Sequence, residues 1–317
     1  MKYPLDPELA QFAASIPSGS FVDPVPARRY FEDVNAMLSA GVDTSALVIE
    51  DGSVPGEGGR PPVPIRIYRP NDAPDVSAAI LQIHGGGFVV GSLDTEHGLA
   101  VHNAVSLGVT VVTVDYRLAP EHPYPAGLDD CYAALVWMHQ QAAALRIDPA
   151  RIAVYGVSAG GGLAAALCLL ARDRSGPAIC FQHLSIPELD DRLDTPSARD
   201  FTDTPVWTRS LAETSWDYYL GAGYRRGADD VPVLAAPARA TDLSGLPPAL
   251  VNTMEFDPLR DEGLLYAMQL LRDGVSVEVH SYPGTFHGSV VLPARVSRQQ
   301  ARDSLDALRR ALTLPPA

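Results

Sequence analysis

Lysine is nearly absent from this chain: Lys2 is the only one among 24 basic residues in 317, so the other 24 − 1 = 23 are arginines. Within the fold this excludes chemistry built on a lysine amine, including Schiff-base and pyridoxal catalysis, Ser-Lys dyads and the Walker A phosphate loop. Basic charge is also short overall. The 24 Lys and Arg face 38 Asp and Glu, a formal net charge of −14, and such a surface repels a phosphate backbone, so nucleic acid is excluded as a partner. Cysteine is scarce too. Cys131, Cys168 and Cys180 are odd in number, lack CxxC spacing and lie partly in apolar runs, which is the pattern of buried free thiols in a reducing compartment. Residues 1–20 carry charges and prolines where an export signal needs an apolar stretch, so a cytoplasmic location is expected. One uncharged run, 152–171, is long enough to pass for a membrane span, but its glycines and an abrupt change of period predict a strand, a turn and a buried helix instead.

What is present is ordinary globular material, 46% hydrophobic and 20% charged, enough for one large α/β domain or two smaller ones. β-branched runs predict eight strands at 46–50, 63–69, 78–83, 109–115, 152–155, 179–184, 249–253 and 275–282. From the third onward they alternate with helical patterns at 94–107, 127–145, 158–172, 258–272 and 294–312. Alternation of this kind predicts a mostly parallel sheet covered on both faces, and the Gly/Pro-rich link 51–64 predicts an antiparallel hairpin at its start. Two stretches break the rhythm. They are the N-terminal residues 1–44 and an insertion at 187–234 that is rich in aromatics, and together they read as a helical cap. The core is then split into 45–186 and 235–317.

Three clusters carry chemistry. Gly156-Val157-Ser158-Ala159-Gly160 follows a strand and opens an apolar helix, the setting in which a sharp turn lifts a serine hydroxyl above a sheet and small neighbours avoid clashes. His84-Gly85-Gly86-Gly87 ends the third strand, and a glycine run can turn backbone N–H groups inward to hold a developing oxyanion. A tight turn and a nucleotide loop are the competing readings, and the nucleotide loop is disfavoured because no lysine is available for reductase chemistry. A serine nucleophile also needs a base and an acid. His287, in Gly284-Thr285-Phe286-His287-Gly288 after the last strand, supplies the base, and Asp257, just past the seventh strand and before Pro258, supplies the acid. Asp261 and Glu262 fall inside the following helix and are expected to be solvated or paired with Arg260. His97, His102, His122, His139, His183 and His280 read as core or surface residues, and their spacing predicts no metal site.

Together these residues resemble the hormone-sensitive-lipase-like carboxylesterases of the α/β-hydrolase fold, marked by an HGGG loop and a GxSAGG elbow. The likeness runs from about residue 65 to His287 and includes Tyr116-Arg117-Leu118-Ala119-Pro120-Glu121, Leu246-Pro247-Pro248 and Asp257-Pro258-Leu259-Arg260-Asp261-Glu262-Gly263. The resemblance implies an α/β-hydrolase, a mostly parallel eight-stranded sheet flanked by helices, with a helical cap. It implies Ser158 as nucleophile, His287 as base, Asp257 as its orienter, Gly86, Gly87 and Ala159 as oxyanion donors, and His84 and Gly85 as residues that shape the loop. The expected reaction is hydrolysis of short-to-medium acyl carboxylic esters through an acyl-enzyme. No cofactor or metal is expected, and the partner is a small ester. Monomer and homodimer are both left open, and a non-catalytic binder on the same fold is the alternative. Two positions depart from the family pattern: Val157 stands where Asp is usual before the serine, and Gly288 is followed by Ser289 where HGF is usual. Phe12, Phe21, Tyr30 and Phe31 of the first segment and Trp207 and Trp216 of the insertion together offer enough aromatic surface to roof the serine, while for any one of them the competing reading is packing of the cap helices against the sheet.

Overall fold

The computed structural model describes residues 2–14, 16, 23–56 and 59–313. Eight strands form one sheet: β1 (Leu47–Val54), β2 (Val63–Pro70), β3 (Ser77–Ile83), β4 (Thr110–Val114), β5 (Ile147–Val157), β6 (Phe181–Ser185), β7 (Ala249–Phe256) and β8 (Val277–Phe286). Their order across the sheet is β1-β2-β4-β3-β5-β6-β7-β8. β2 is antiparallel to both its neighbours and every other pair is parallel, so the expected parallel sheet with a hairpin start is present.

The α-helices are α1 (Pro7–Ala13), α2 (Pro24–Ser39), α3 (His97–Leu107), α4 (Ala126–Gln140), α5 (Ala142–Leu145), α6 (Ala159–Asp173), α7 (Pro196–Asp200), α8 (Arg209–Leu220), α9 (Arg260–Arg272) and α10 (Arg295–Thr313). The single helix expected at 127–145 is two, separated by a turn at Gln141. The sheet divides the core by its own two-residue period. Ala79, Leu81 and Ile83 of β3 pack with α4 and α6, whereas Ala78 and Ile80 pack with α3 and α10. Both faces are covered, which is why every residue of β3 is buried. α6 is buried from Ala159 through Ala171, as an all-apolar helix must be. The uncharged run at 152–171 is thus the end of β5 and most of α6, and among the described residues no helix is long and apolar enough to cross a membrane.

Between β6 and β7 the chain leaves the sheet and forms α7 and α8. Leu211, Ala212, Trp216, Tyr219 and Leu220 of α8 join the main core, so the underside of this segment is continuous with it. The N-terminal segment meets the insertion directly. Lys2 pairs with Asp203 at 2.7 Å, and the Tyr3 ring lies edge-on to Phe201. Arg28 of α2 donates to Val89 O and Ala119 O and pairs with Glu121, which fastens that helix beside the glycine loop after β3.

Candidate active site

β5 ends at Val157 and α6 begins at Ala159, so Ser158 alone makes the turn, with φ 55° and ψ −120°. A side chain held there costs about 1–3 kcal/mol and persists only where its surroundings over-determine it. Here the Ser158 N–H donates to Ser185 O at 2.9 Å, and its carbonyl accepts from the N–H groups of Gly162 and Glu188 at 3.1 and 3.0 Å. The turn is tight enough that a Cβ on Gly156 would sit 2.0 Å from Gly160 O, and one on Gly160 would sit 2.2 Å from Ile83 O. Only glycine fits either position. Val157 packs with Ile186, Met254 and Tyr282, so the residue that departs from the family pattern adds apolar contact beneath the serine.

Ser158, Asp257 and His287 converge at the carboxyl ends of β5, β7 and β8. Ser158 Oγ is 2.9 Å from His287 Nε2, and His287 Nδ1 is 2.7 Å from Asp257 Oδ2. The other Asp257 oxygen accepts from the Leu259 N–H at 2.9 Å, which fixes the plane of the carboxylate. With Asp257 accepting from Nδ1, the Nε2 lone pair faces the serine hydroxyl, the arrangement a base needs to take its proton. All three side chains are buried. Ser289 is buried, and its hydroxyl donates to Met254 Sδ at 3.9 Å.

The glycine loop is pinned by its carbonyls. His84 Nδ1 donates to Gly85 O at 2.8 Å, and Gly86 O accepts from the N–H groups of Val89 and Val90 at 3.1 and 3.0 Å. In a trans peptide the N–H points opposite to the C=O, so anchoring these two carbonyls directs the N–H groups of Gly86 and Gly87 the other way. Gly86 has φ +121°, open to glycine alone. His84 stacks on Tyr116 at 4.2 Å, and burial pushes its imidazole down to about 4, so it stays neutral and serves as a donor from Nδ1. Glu96 accepts the Gly85 N–H at 2.9 Å, and burial pushes its carboxyl up to about 8. Ala159 N–H belongs to the first turn of α6, where helical N–H groups have no partner within the helix.

The remaining expectations divide. Asp261 pairs with Arg260 and accepts from the Ser197 N–H, as its position in the helix implied. Glu262 does not. It is buried, accepts from Leu189 N–H at 2.6 Å and Asp190 N–H at 3.2 Å, and burial pushes its carboxyl well up. The helical pattern hid this because α9 turns that position toward the start of the insertion rather than to solvent. Trp207 stacks against the His287 ring at 5.5 Å, so it does cover the site. Trp216 instead packs inside the segment against Phe88 and Tyr219, and Tyr30 is 43% exposed. Phe21 lies outside the described residues. Among the described residues no cluster of His, Cys, Asp and Glu could hold a metal ion.

Sequence reasoning missed Glu96, Glu188 and Ser215, which touch the loop or the elbow. The available signal was position: Glu188 follows the carboxyl end of β6, the edge where open α/β sheets bind ligands.

A family model described as alpha/beta hydrolase fold matches residues 80–291. The carboxylesterase NlhH of Mycobacterium tuberculosis is 43% identical over 270 residues, covering 84% of this chain and 83% of that protein. An ethyl acetate hydrolase of Pseudomonas putida is 34% identical over 295 residues, covering 89% and 91%. Among solved structures, a bacterial heroin esterase superposes with a TM-score of 0.96 at 48% identity, covering 98% of this chain and 99% of that one.

Proposed function

The chain belongs to the alpha/beta hydrolase fold family and is a carboxylic ester hydrolase, and on that premise we propose that Ser158, His287 and Asp257 are its triad and that its substrates are short-to-medium acyl esters. The observation that carries the assignment is the unbroken relay from Ser158 Oγ through His287 to Asp257. His287 takes the serine proton as Oγ attacks the ester carbonyl. The N–H groups of Gly86, Gly87 and Ala159 hold the oxyanion, a contribution of about 10²–10³ in rate for each donor of this kind. The alcohol leaves with the proton from His287, and water activated by the same imidazole releases the acid. The non-catalytic alternative has no support, since the relatives are esterases.

The limit on acyl length follows from the cap, which we assign to 187–234 and the described residues before 45. Trp207 against His287 places a large ring over the site. Each further buried methylene contributes about 0.8 kcal/mol, whereas overfilling a packed pocket costs about 1–3 kcal/mol. Chains that outgrow the space lose more than they gain. The relative named for ethyl acetate points to the same short-acyl side. Measuring kcat/KM over straight-chain esters of rising length is the test. A maximum among short to medium chains is expected, and a steady rise to emulsified long-chain triglycerides contradicts it. The proposal extends to a cytoplasmic enzyme, with cell fractionation as its test, and sedimentation velocity decides between monomer and homodimer.

A further inference from the structure

Two of the three carbonyls in the glycine loop are held by the loop and its own histidine. The third, Gly87 O, is held by the cap: Ser215 Oγ of α8 lies 2.9 Å from it. The same hydroxyl lies 3.0 Å from Oε1 of Glu188. Ser215 and Glu188 are fully buried, at 0% exposure. A serine hydroxyl has one hydrogen to give, and a carbonyl and an ionised carboxylate can only accept. If Glu188 is ionised, one of the two contacts therefore faces oxygen to oxygen with no hydrogen between. If it is protonated, both are made: the Glu188 O–H donates to Ser215 Oγ, and the Ser215 O–H donates to Gly87 O. Among the described residues Glu188 Oε2 has no hydrogen-bond partner. That is cheap for the carbonyl oxygen of a neutral acid and costly for a carboxylate.

We propose that Glu188 is a positioning residue, protonated in the working enzyme, which acts through Ser215 to fix the Gly87 carbonyl and so ties the oxyanion loop to the cap. Its backbone is already part of the site, because the Glu188 N–H donates to Ser158 O at 3.0 Å. One residue thus braces both the nucleophile's turn and the loop that stabilises the charge the nucleophile creates. Its surroundings keep it neutral. Burial pushes the carboxyl up to about 8, the Ser215 bond opposes this, and the Asp257 charge adds to it. Glu262 from α9, Tyr116 after β4 and Tyr219 from α8 also face it and are acids. Asp257 is in turn bonded to His287. When Glu188 ionises, the Ser215 hydrogen is drawn to the carboxylate and Gly87 O loses its donor.

The inference rests on Gly86 and Gly87 being oxyanion donors in a Ser158 enzyme. An active Ser158→Ala variant defeats that reading, whereas the outcomes below are read in enzyme that Ser158 runs. The experiment is the pH dependence of kcat and KM for a soluble short-chain ester in the full-length protein. Wild type is expected to lose activity above about pH 8, in kcat rather than KM. Glu188→Ala lowers kcat, and Glu188→Gln, whose amide donates to Ser215 at every pH, restores most of it and removes the alkaline loss. Ser215→Ala removes no ionisable group, yet it should lower kcat about tenfold, the worth of one buried hydrogen bond, and should also abolish the alkaline loss. The proposal is overturned by a wild-type kcat that stays level to pH 10, by an unchanged alkaline loss in Glu188→Gln, or by a Ser215→Ala enzyme with wild-type kcat and profile.

Discussion

The Ser158 turn and the cap meet over the same serine but are held together differently. At the turn, backbone packs on backbone: a Cβ on Gly160 would lie 2.2 Å from Ile83 O and one on Gly156 would lie 2.0 Å from Gly160 O. The cap reaches the site through side chains, with Trp207 against the His287 ring and Ser215 on Gly87 O. Backbone contacts of this kind leave no room for variation. Side-chain contacts can be exchanged one at a time, so substrate range can change at cap positions such as Trp207 that do not hold the glycine loop, while the chemistry below stays fixed.

The sharpest way to break this contrast is to remove the chemistry itself. Ser158→Ala and His287→Ala should each abolish nearly all esterase activity, and the double variant should be little worse than either, because triad members act as a unit. Losses that multiply in steady-state assays would contradict this. Asp257→Asn should leave the fold intact, read by circular dichroism, while lowering kcat roughly 10⁴-fold, because the imidazole loses its orienter. The same loss in Asp261→Asn would show the acid to be misassigned.

Next in size is Gly160→Ala. Its Cβ would lie 2.2 Å from Ile83 O, and the backbone of β3 cannot give way to it, so this variant should misfold or lose the turn and with it activity, read by thermal unfolding and assay together. Trp207→Ala is the matching change in the cap. It should fold, keep its chemistry and shift the kcat/KM maximum toward longer acyl chains. If Gly160→Ala were tolerated and Trp207→Ala inactive, the two regions would have their roles reversed.

Legibility followed the same division. The strands, the elbow, the glycine loop, Asp257 and His287 could all be read from the sequence, because close backbone approach demands glycine and the sheet demands a two-residue period. The cap's working residues could not. Nothing in the pattern around Ser215 distinguishes it from any polar residue of a helix, and its partner Glu188 is far from it in sequence. Glu262 was misread for a related reason. Position within a helix does not say which carboxyls tertiary packing will bury, and a buried acid looks like a solvated one until the N–H groups of Leu189 and Asp190 are seen to face it.

Smaller effects should appear in stability. Burial raises the carboxyls of Glu96 and Glu188 to about 8 from an ordinary 4.5. Below pH 4.5 the folded and unfolded chains both hold these protons. Between there and pH 8 the unfolded chain releases protons that the folded chain keeps, so these groups make stability fall as pH rises across that window. Glu188→Gln should therefore gain in Tm relative to wild type between pH 5 and pH 9, and a constant difference would show that Glu188 does not keep its proton. Smallest of all, Arg28→Ala should loosen α2 from Val89 O, Ala119 O and Glu121 and broaden acyl tolerance slightly without changing kcat on the best ester.

The central claim is that ester hydrolysis passes through an acyl group carried on Ser158, and it is most directly tested by mixing the enzyme with an activated acetate ester, quenching within the first turnover and mapping the added mass by peptide mass spectrometry. The account predicts one acetyl group per chain, on the peptide containing Ser158, formed in a burst with the alcohol and absent from Ser158→Ala. An acetyl group on another residue, or full turnover with no acylated peptide in either protein, would contradict it.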